Sequence, residues 1–270
     1  MAEVPEVETF ARELCALVVG RPIEAVRVLQ PAAVRFPEPA AFEALVTGRR
    51  VEDANRRAKH LLCDLSGGIT LALHMMLHGT LRLMPTTEPA DPQTMVCFTL
   101  DKGEDLRLRD RVGYARVAAG PAAEVAERLR LAALGPELLA DDFTPEQFAA
   151  RLAGRRGVLK TALVDQKIIA GLGIRDADES LWEAQIDPRR KAGSLTLEEV
   201  TRLHAAARAV LAEGIALRGT MPDLRGVKGG ARQDRKIYMH AGEPCPRCGT
   251  PIQRTPIGQA LTYFCPGCQR

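Results

Sequence analysis

The chain has 270 residues, too many for one small module and suited to two or three. A hydrophobic fraction of 46% excludes wholesale disorder, and no apolar run approaches the roughly 20 residues a membrane span needs. Lys and Arg number 37 against 34 Asp and Glu, a net +3 that names no partner. The first residues, MAEVPEVETF, carry acids in place of a basic segment and an apolar core. No export signal is read there, and the cytoplasm is the expected compartment.

Residues 4–18 place Val7, Phe10, Leu14, Leu17 and Val18 at helical spacing, which predicts an amphipathic helix. Short apolar stretches follow at Ile23–Val28, His60–Leu65, Ile69–His74, Thr94–Leu100 and 106–110. Gly67-Gly68 between two of them reads as a hairpin turn. A helix followed by many short strands predicts a β-sandwich or barrel-like domain. Cys15, Cys63 and Cys97 stand alone in apolar surroundings, as buried thiols of a reduced protein do.

From about Pro121 the character changes. Residues 124–133, 145–153, 158–169, 177–184 and 197–212 are rich in Ala, Leu and charge at helical period. Thr144 precedes Pro145, with Gln147 three residues on, and Thr196 with Glu199 repeats the spacing, so two helix starts are read. Residues 214–230 are rich in Gly and basic residues and are expected to be mobile or to face nucleic acid. Between 218 and 254 eight basic residues stand against three acids, a stretch that suits phosphates and equally suits a solvated face. The resulting division is a β-sandwich domain at 1–120, a linker at 121–135, a helical domain at 136–240 and a cysteine hairpin at 241–270.

That hairpin carries two pairs, Cys245 with Cys248 and Cys265 with Cys268, sixteen residues apart. The spacing reads as one structural Zn2+ site, because four thiolates close a tetrahedron and leave no open position. Two disulfides are the alternative. Gly171-Leu-Gly173 at a helix boundary lacks the third glycine and preceding strand of a dinucleotide site. Contact with a phosphate and a plain tight turn both remain open for it. His74 and His78 lie on a strand-turn stretch, where i and i+4 do not share a face, so no metal is read there.

Four segments occur in register: Glu3-Val-Pro5-Glu-Val-Glu8-Thr9, Arg56-Arg-Ala-Lys59-His-Leu61, Leu163-Val-Asp165-Gln166 through Gly171-Leu-Gly173 to Ala177-Asp-Glu179, and the four-cysteine hairpin. Together they resemble the formamidopyrimidine-DNA glycosylase and endonuclease VIII family from residue 3 to Gln269. The resemblance implies an α+β multidomain fold: a β-sandwich opening with a helix, a helix–two-turn–helix domain and a zinc hairpin, with double-stranded, damaged or abasic DNA between them. It implies a monomeric glycosylase and abasic-site lyase that flips out a lesion and attacks C1′ with its N-terminal amine. On that basis Ala2 carries the amine, once Met1 is removed, Glu3 is the acid and Lys59 touches the lesion phosphate. Glu3 also reads as a capping acid and Lys59 as a solvated turn residue. Lys160 resembles a family lysine near the DNA backbone, and Gly173 the turn that offers backbone donors.

Four departures from the family pattern matter. Ala2 replaces a proline, so the amine is primary. Ile174 replaces the phosphate-gripping Asn, with Arg175 beside it as a substitute by charge. Ala260 stands where the hairpin arginine belongs, leaving Arg254 on the other arm. Leu77 replaces the wedge Met, and Val112-Gly113-Tyr114 replaces Arg-Arg-Phe, so Leu77 and Tyr114 are left to intercalate. The region before Tyr238 is short, which argues against a dedicated 8-oxoguanine pocket. Two rivals follow: a fold kept for binding damaged DNA with catalysis weakened or lost, and a zinc-ribbon protein binding protein or RNA.

Overall fold

The computed structural model describes residues 2–270, so the expected removal of Met1 lies outside the described residues. The chain forms two compact units, residues 2–132 with Arg218–Gly230, and Ala133–Leu217 with Ala231–Arg270.

The first unit opens with α1 (Val4–Leu17), whose Val7, Phe10 and Leu14 face inward. Eight strands of six or seven residues and one shorter strand follow: β1 (Ile23–Val28), β2 (Val34–Phe36), β3 (Val51–Arg57), β4 (His60–Leu65), β5 (Ile69–His74), β6 (Thr80–Pro85), β7 (Thr94–Leu100), β8 (Glu104–Arg109) and β9 (Arg116–Pro121). Two helices join them, α2 (Pro39–Val46) and α3 (Ala122–Arg128). The strands make two sheets, in the orders β1-β7-β8-β6 and β2-β9-β5-β4-β3. One apolar cluster, including Phe10, Phe42, Leu61, Leu73, Phe98 and Leu108, draws on both sheets and α1. This is the expected sandwich. β4 alternates half-buried and buried residues along its length, as a strand with one covered face does. β5 is covered on both faces, because a smaller cluster of Phe36, Ala72, Ala118 and Val125 closes its other side. Ser66, Gly67 and Gly68 join β4 to β5, with the two glycines at φ of +78° and +73°, the left-handed region that a tight turn here uses.

The second unit holds α4 (Pro145–Leu152), α5 (Leu159–Val164), α6 (Ile174–Glu183) and α7 (Leu197–Ala216), then a hairpin of β10 (Gln253–Ile257) and β11 (Ala260–Phe264). Both expected helix starts form capping boxes, Thr144 with Gln147 and Thr196 with Glu199. The helix expected over 158–169 stops at Val164, where the chain turns. The Asp165 carboxylate takes the Lys167 N–H, and its carbonyl takes those of Ile168 and Ile169.

The expectation of a mobile segment at 214–230 is corrected. α7 runs on to Ala216, and Arg218–Gly230 is a strap fastened within the first unit. Leu224 is fully buried, its carbonyl accepts the Leu83 N–H, and Glu13 accepts its N–H at 2.8 Å. Three of the basic residues in the cationic stretch are taken up internally: Arg218 pairs with Glu13 and Asp223, Arg225 with Glu104, and Arg247 with Glu183.

Candidate functional site

In the first unit, Glu3 is the N-cap of α1 and is fully buried, and Ala2 beside it is 3% exposed. Glu3 and Glu6 make a capping box in which Glu6 Oε2 accepts the Glu3 N–H at 2.8 Å. The capping reading of Glu3 therefore holds, and it places the expected acid at the root of the chain's first turn. Lys59 sits half-buried at the tip of the β3–β4 hairpin, after Ala58 with φ +53°. Arg56 ties that tip to α1: its Nε meets Glu8 Oε2 at 3.0 Å and its Nη1 donates to the Ala58 carbonyl at 3.1 Å.

Two further loops carry the expected wedge. Met76 and Leu77, after β5, are 37% and 44% exposed, and Val112 and Tyr114, between β8 and β9, are 44% and 49% exposed. Buried Asp110 shapes the second loop by accepting the N–H groups of Val112, Tyr114 and Ala115 at 2.8–2.9 Å. The loops touch: a Cβ added at Gly79 would lie 2.7 Å from the Ala115 Cβ. Leu77 and Tyr114 thus stand as apolar projections on adjoining loops, free of competing core roles. His74 accepts the Met76 N–H at Nδ1, and its ring packs edge-on to His60 at 4.8 Å. Burial, then the nearby His60, Lys59 and Arg35, hold the His74 ring down at about 3, so it is neutral at pH 7.

In the second unit two residues expected to meet DNA are buried and paired with acids. Lys160 is 1% exposed, and its ammonium donates to Asp178 Oδ1 at 2.6 Å and to the Ile174 carbonyl. Arg175 is 5% exposed and grips Asp176, with Nε–Oδ1 at 2.5 Å and Nη2–Oδ2 at 3.0 Å. Neither cation is at the surface to meet a phosphate. Each neutralises a carboxylate that α6 buries, because a buried charge without a partner is costly. Gly173 is the N-cap of α6, after Gly171 with φ +94°, so its turn starts a helix as expected. Arg254 is exposed on β10, opposite Tyr263.

The four hairpin cysteines converge. Their sulfurs lie within 4.8 Å of one another, with Cys245–Cys268 at 3.8 Å and Cys248–Cys265 at 3.4 Å. A tetrahedral zinc with bonds of about 2.3 Å sets its ligands about 3.8 Å apart, so the cluster fits that ion. All four are free thiols, which removes the disulfide alternative. Among the described residues they are the one cluster of three or more potential metal ligands. Supporting residues orient the cluster. The Trp182 indole donates to Cys245 Sγ at 3.3 Å, and Gln269 accepts the Cys265 N–H at 2.7 Å. Burial pushes the Cys245 thiol up, but the Trp182 bond and the N–H groups of Arg247 and Cys248 outweigh it, bringing it to about 6. Asp178 takes the Tyr263 N–H, and Glu179 takes those of Lys236, Ile237 and Tyr238, so α6 anchors the hairpin and the loop before it.

Sequence reading passed over Glu6, Asp110 and Glu179 as organising carboxylates. Glu6 was the readable one, since its spacing of three from Glu3 is that of a capping box.

Three family models match the chain in turn. The chain matches the formamidopyrimidine-DNA glycosylase N-terminal domain over residues 1–117, the H2TH domain of that glycosylase over 134–224, and a zinc finger found in FPG and IleRS over 242–270. It is 43% identical to a formamidopyrimidine-DNA glycosylase of Symbiobacterium thermophilum, across 100% of this chain and 89% of the relative. For one of Chloroflexus aurantiacus the figures are 40%, 100% and 98%. Among solved structures it is similar to Lactococcus lactis Fpg in complex with DNA containing an abasic site, with a TM-score of 0.94, 28% identity and full coverage of both chains. A complex of the same enzyme with DNA containing an oxidised pyrimidine matches equally well. No helix is long and apolar enough to cross a membrane, among the described residues.

Proposed function

We propose that this chain, which belongs to the formamidopyrimidine-DNA glycosylase family, cuts damaged DNA through the amine of Ala2. It is a DNA-repair enzyme, a glycosylase and abasic-site lyase, with one structural zinc site. Zinc, when bound, ties Cys245, Cys248, Cys265 and Cys268 into one fold and supplies no chemistry, since a four-sulfur shell has no open position.

The mechanism assigned to its own residues runs in three steps. With Met1 removed, the neutral Ala2 amine attacks C1′ of the flipped nucleotide, forming an N–C1′ bond as the bond from C1′ to the base breaks, the base leaving with that electron pair and taking up a proton that the amine nitrogen gives up. An α-amine has a reference pKa of about 7.7–8.0, so a useful fraction is neutral near pH 7. Glu3 gives a proton to the ring oxygen, the sugar opens and the amine nitrogen loses a proton to leave a Schiff base. Loss of a C2′ proton then expels the 3′ phosphate and nicks the strand. Lys59 holds the lesion phosphate, while Leu77 and Tyr114 fill the space the base leaves. Arg254 and the backbone donors at Gly173 meet flanking phosphates. The substrate is duplex DNA with a damaged or abasic nucleotide, taken by a monomer in the cytoplasm.

The observation carrying this reading is the burial of Ala2 and Glu3 at the start of α1, where Glu6 fixes the Glu3 backbone. A second reading, binding of damaged DNA with catalysis weakened or lost, is favoured by Ala2, Ile174, Val112 and Ala260 and by the internal pairing of Arg175. Borohydride trapping on a duplex bearing an abasic site separates them, with the mature N-terminus read by mass spectrometry. The expected result is a covalent adduct on Ala2 that disappears when the terminus is blocked. Protein that lacks Met1, binds the duplex and gives no adduct is the binding module.

A further inference from the structure

Glu6 takes no part in the steps above, yet its carboxylate joins two distant parts of the first unit. Oε2 accepts the Glu3 N–H at 2.8 Å, and Oε1 accepts both the N–H and the hydroxyl of Thr220 at 2.8 Å, across 214 residues of sequence. The side chain is 2% exposed. Gly219, with φ +67°, presses the strap onto it: an added Cβ would lie 2.9 Å from Glu6 Cγ and 3.0 Å from Oε1. Beyond Thr220, Glu13 fastens the strap through Arg218 and the Leu224 N–H, and Asp223 folds its tip by accepting the N–H groups of Arg225 and Val227.

The last torsion of a glutamate is broad and does not orient the carboxylate by itself. Two donors from Thr220 on one oxygen do orient it, and the other oxygen is thereby aimed at the Glu3 N–H. We infer that Glu6 is a positioning residue that lets the strap at Thr220 set the placement of the Ala2–Glu3 segment. Resting as it does on the amine mechanism above, the inference adds a specific link: the strap acts on the amine without touching it. Losing the Thr220 hydroxyl leaves Oε1 with the Thr220 N–H as its remaining bond to the strap and loosens the aim of Oε2 at the Glu3 N–H.

The test is Thr220→Val, which keeps the side-chain shape and the backbone donor, with Thr220→Ser as the conservative partner. Single-turnover borohydride trapping is followed on a saturating abasic-site duplex, so no base pocket is involved, and duplex Kd and Tm are measured alongside. Thr220→Val is expected to slow trapping about tenfold, the scale of one hydrogen bond to a charged group, with Kd unchanged. Thr220→Ser restores the rate. In a Glu6→Gln background, where an NH2 group replaces one acceptor, Thr220→Val adds little further loss, because the two residues act as one link. Unaltered trapping in Thr220→Val, or losses that multiply in the double variant, overturns the link and leaves the amine mechanism standing. Absence of any Ala2 adduct from the unsubstituted protein overturns both.

Discussion

Replacing Lys160 by methionine distinguishes a lysine that holds the second unit together from one that holds DNA. Methionine keeps the unbranched apolar stem, so the ammonium is what is lost. That ammonium sits 2.6 Å from Asp178 Oδ1 inside the unit, and burial already raises Asp178 to about 6 against the opposing pull of Lys160 and the Tyr263 N–H. Removing one partner of a buried pair costs about 3–5 kcal/mol. Protonation of the orphaned carboxyl sets a ceiling: an unfolded Asp titrates near 3.9, so holding it neutral at pH 7 costs about 4 kcal/mol at 1.36 per unit. At pH 5 the same ceiling is only about 1.5 kcal/mol. The substitution is therefore expected to lower Tm by roughly 10–20 °C at pH 7 and by much less at pH 5. The affinity of the folded variant for duplex DNA should keep its dependence on salt. A phosphate contact predicts the opposite pair, an unchanged Tm and a log–log salt slope shallower by about 0.9. That outcome would refute the structural reading of Lys160.

Chelation tests the zinc site through Trp182, the single tryptophan, whose indole donates to Cys245 Sγ. Removing the metal is expected to release one zinc per chain, shift the Trp182 emission and lower Tm; emission indifferent to chelator would count against the site. Acid tests His74. Its folded-state value near 3 lies below the unfolded value of about 6.5, so the unfolded chain binds the proton first. Stability should fall as pH drops from 6.5 toward 3, with half-buried His60, also lowered, pulling the same way. His74→Gln should flatten urea-measured stability across that window, and equal slopes in the two proteins would refute the assignment.

The sandwich was legible where the local pattern and the burial agree. β1, β4, β5 and β7 were found because their apolar residues are contiguous or alternate. β3, with sequence VEDANRR, was not: it buries only Val51 and Ala54 and lies at the sheet edge, where polar residues are expected. β2 has three residues and exists only because β9 pairs with it. The zinc ligands were legible because their geometry is local, two pairs on one hairpin. The turn at Asp165 was hidden because Ile168 and Ile169 carry the apolar pattern past the true helix end into the core. The strap at Arg218–Gly230 was misread for a physical reason as well. Glycine and basic residues look mobile in sequence, but their partners Glu6, Glu13 and Glu104 lie far away along the chain.

The same blindness governs charge, and it changes the account of DNA binding. A count of cations cannot say which are already spent on carboxylates. Lys160 finds Asp178 eighteen residues on, Arg175 finds its neighbour Asp176, and Arg218, Arg225 and Arg247 each find an acid. Arg175, which stands beside the Ile174 that replaces the clamp, is buried with its guanidinium on Asp176. Each missing clamp removes a charge-assisted hydrogen bond of about 1.5–3 kcal/mol. On the reading proposed above, the phosphate contacts fall to Lys59 and Arg254, with helix-start donors at Gly173. Because each phosphate contact steepens the salt dependence by about 0.9 in the log–log slope, this chain should grip duplex DNA with a shallower slope than a relative that keeps both clamps. On the same reading, selectivity for damage leans more on Leu77 and Tyr114, which stand clear of the core, Tyr114 on a loop shaped by buried Asp110.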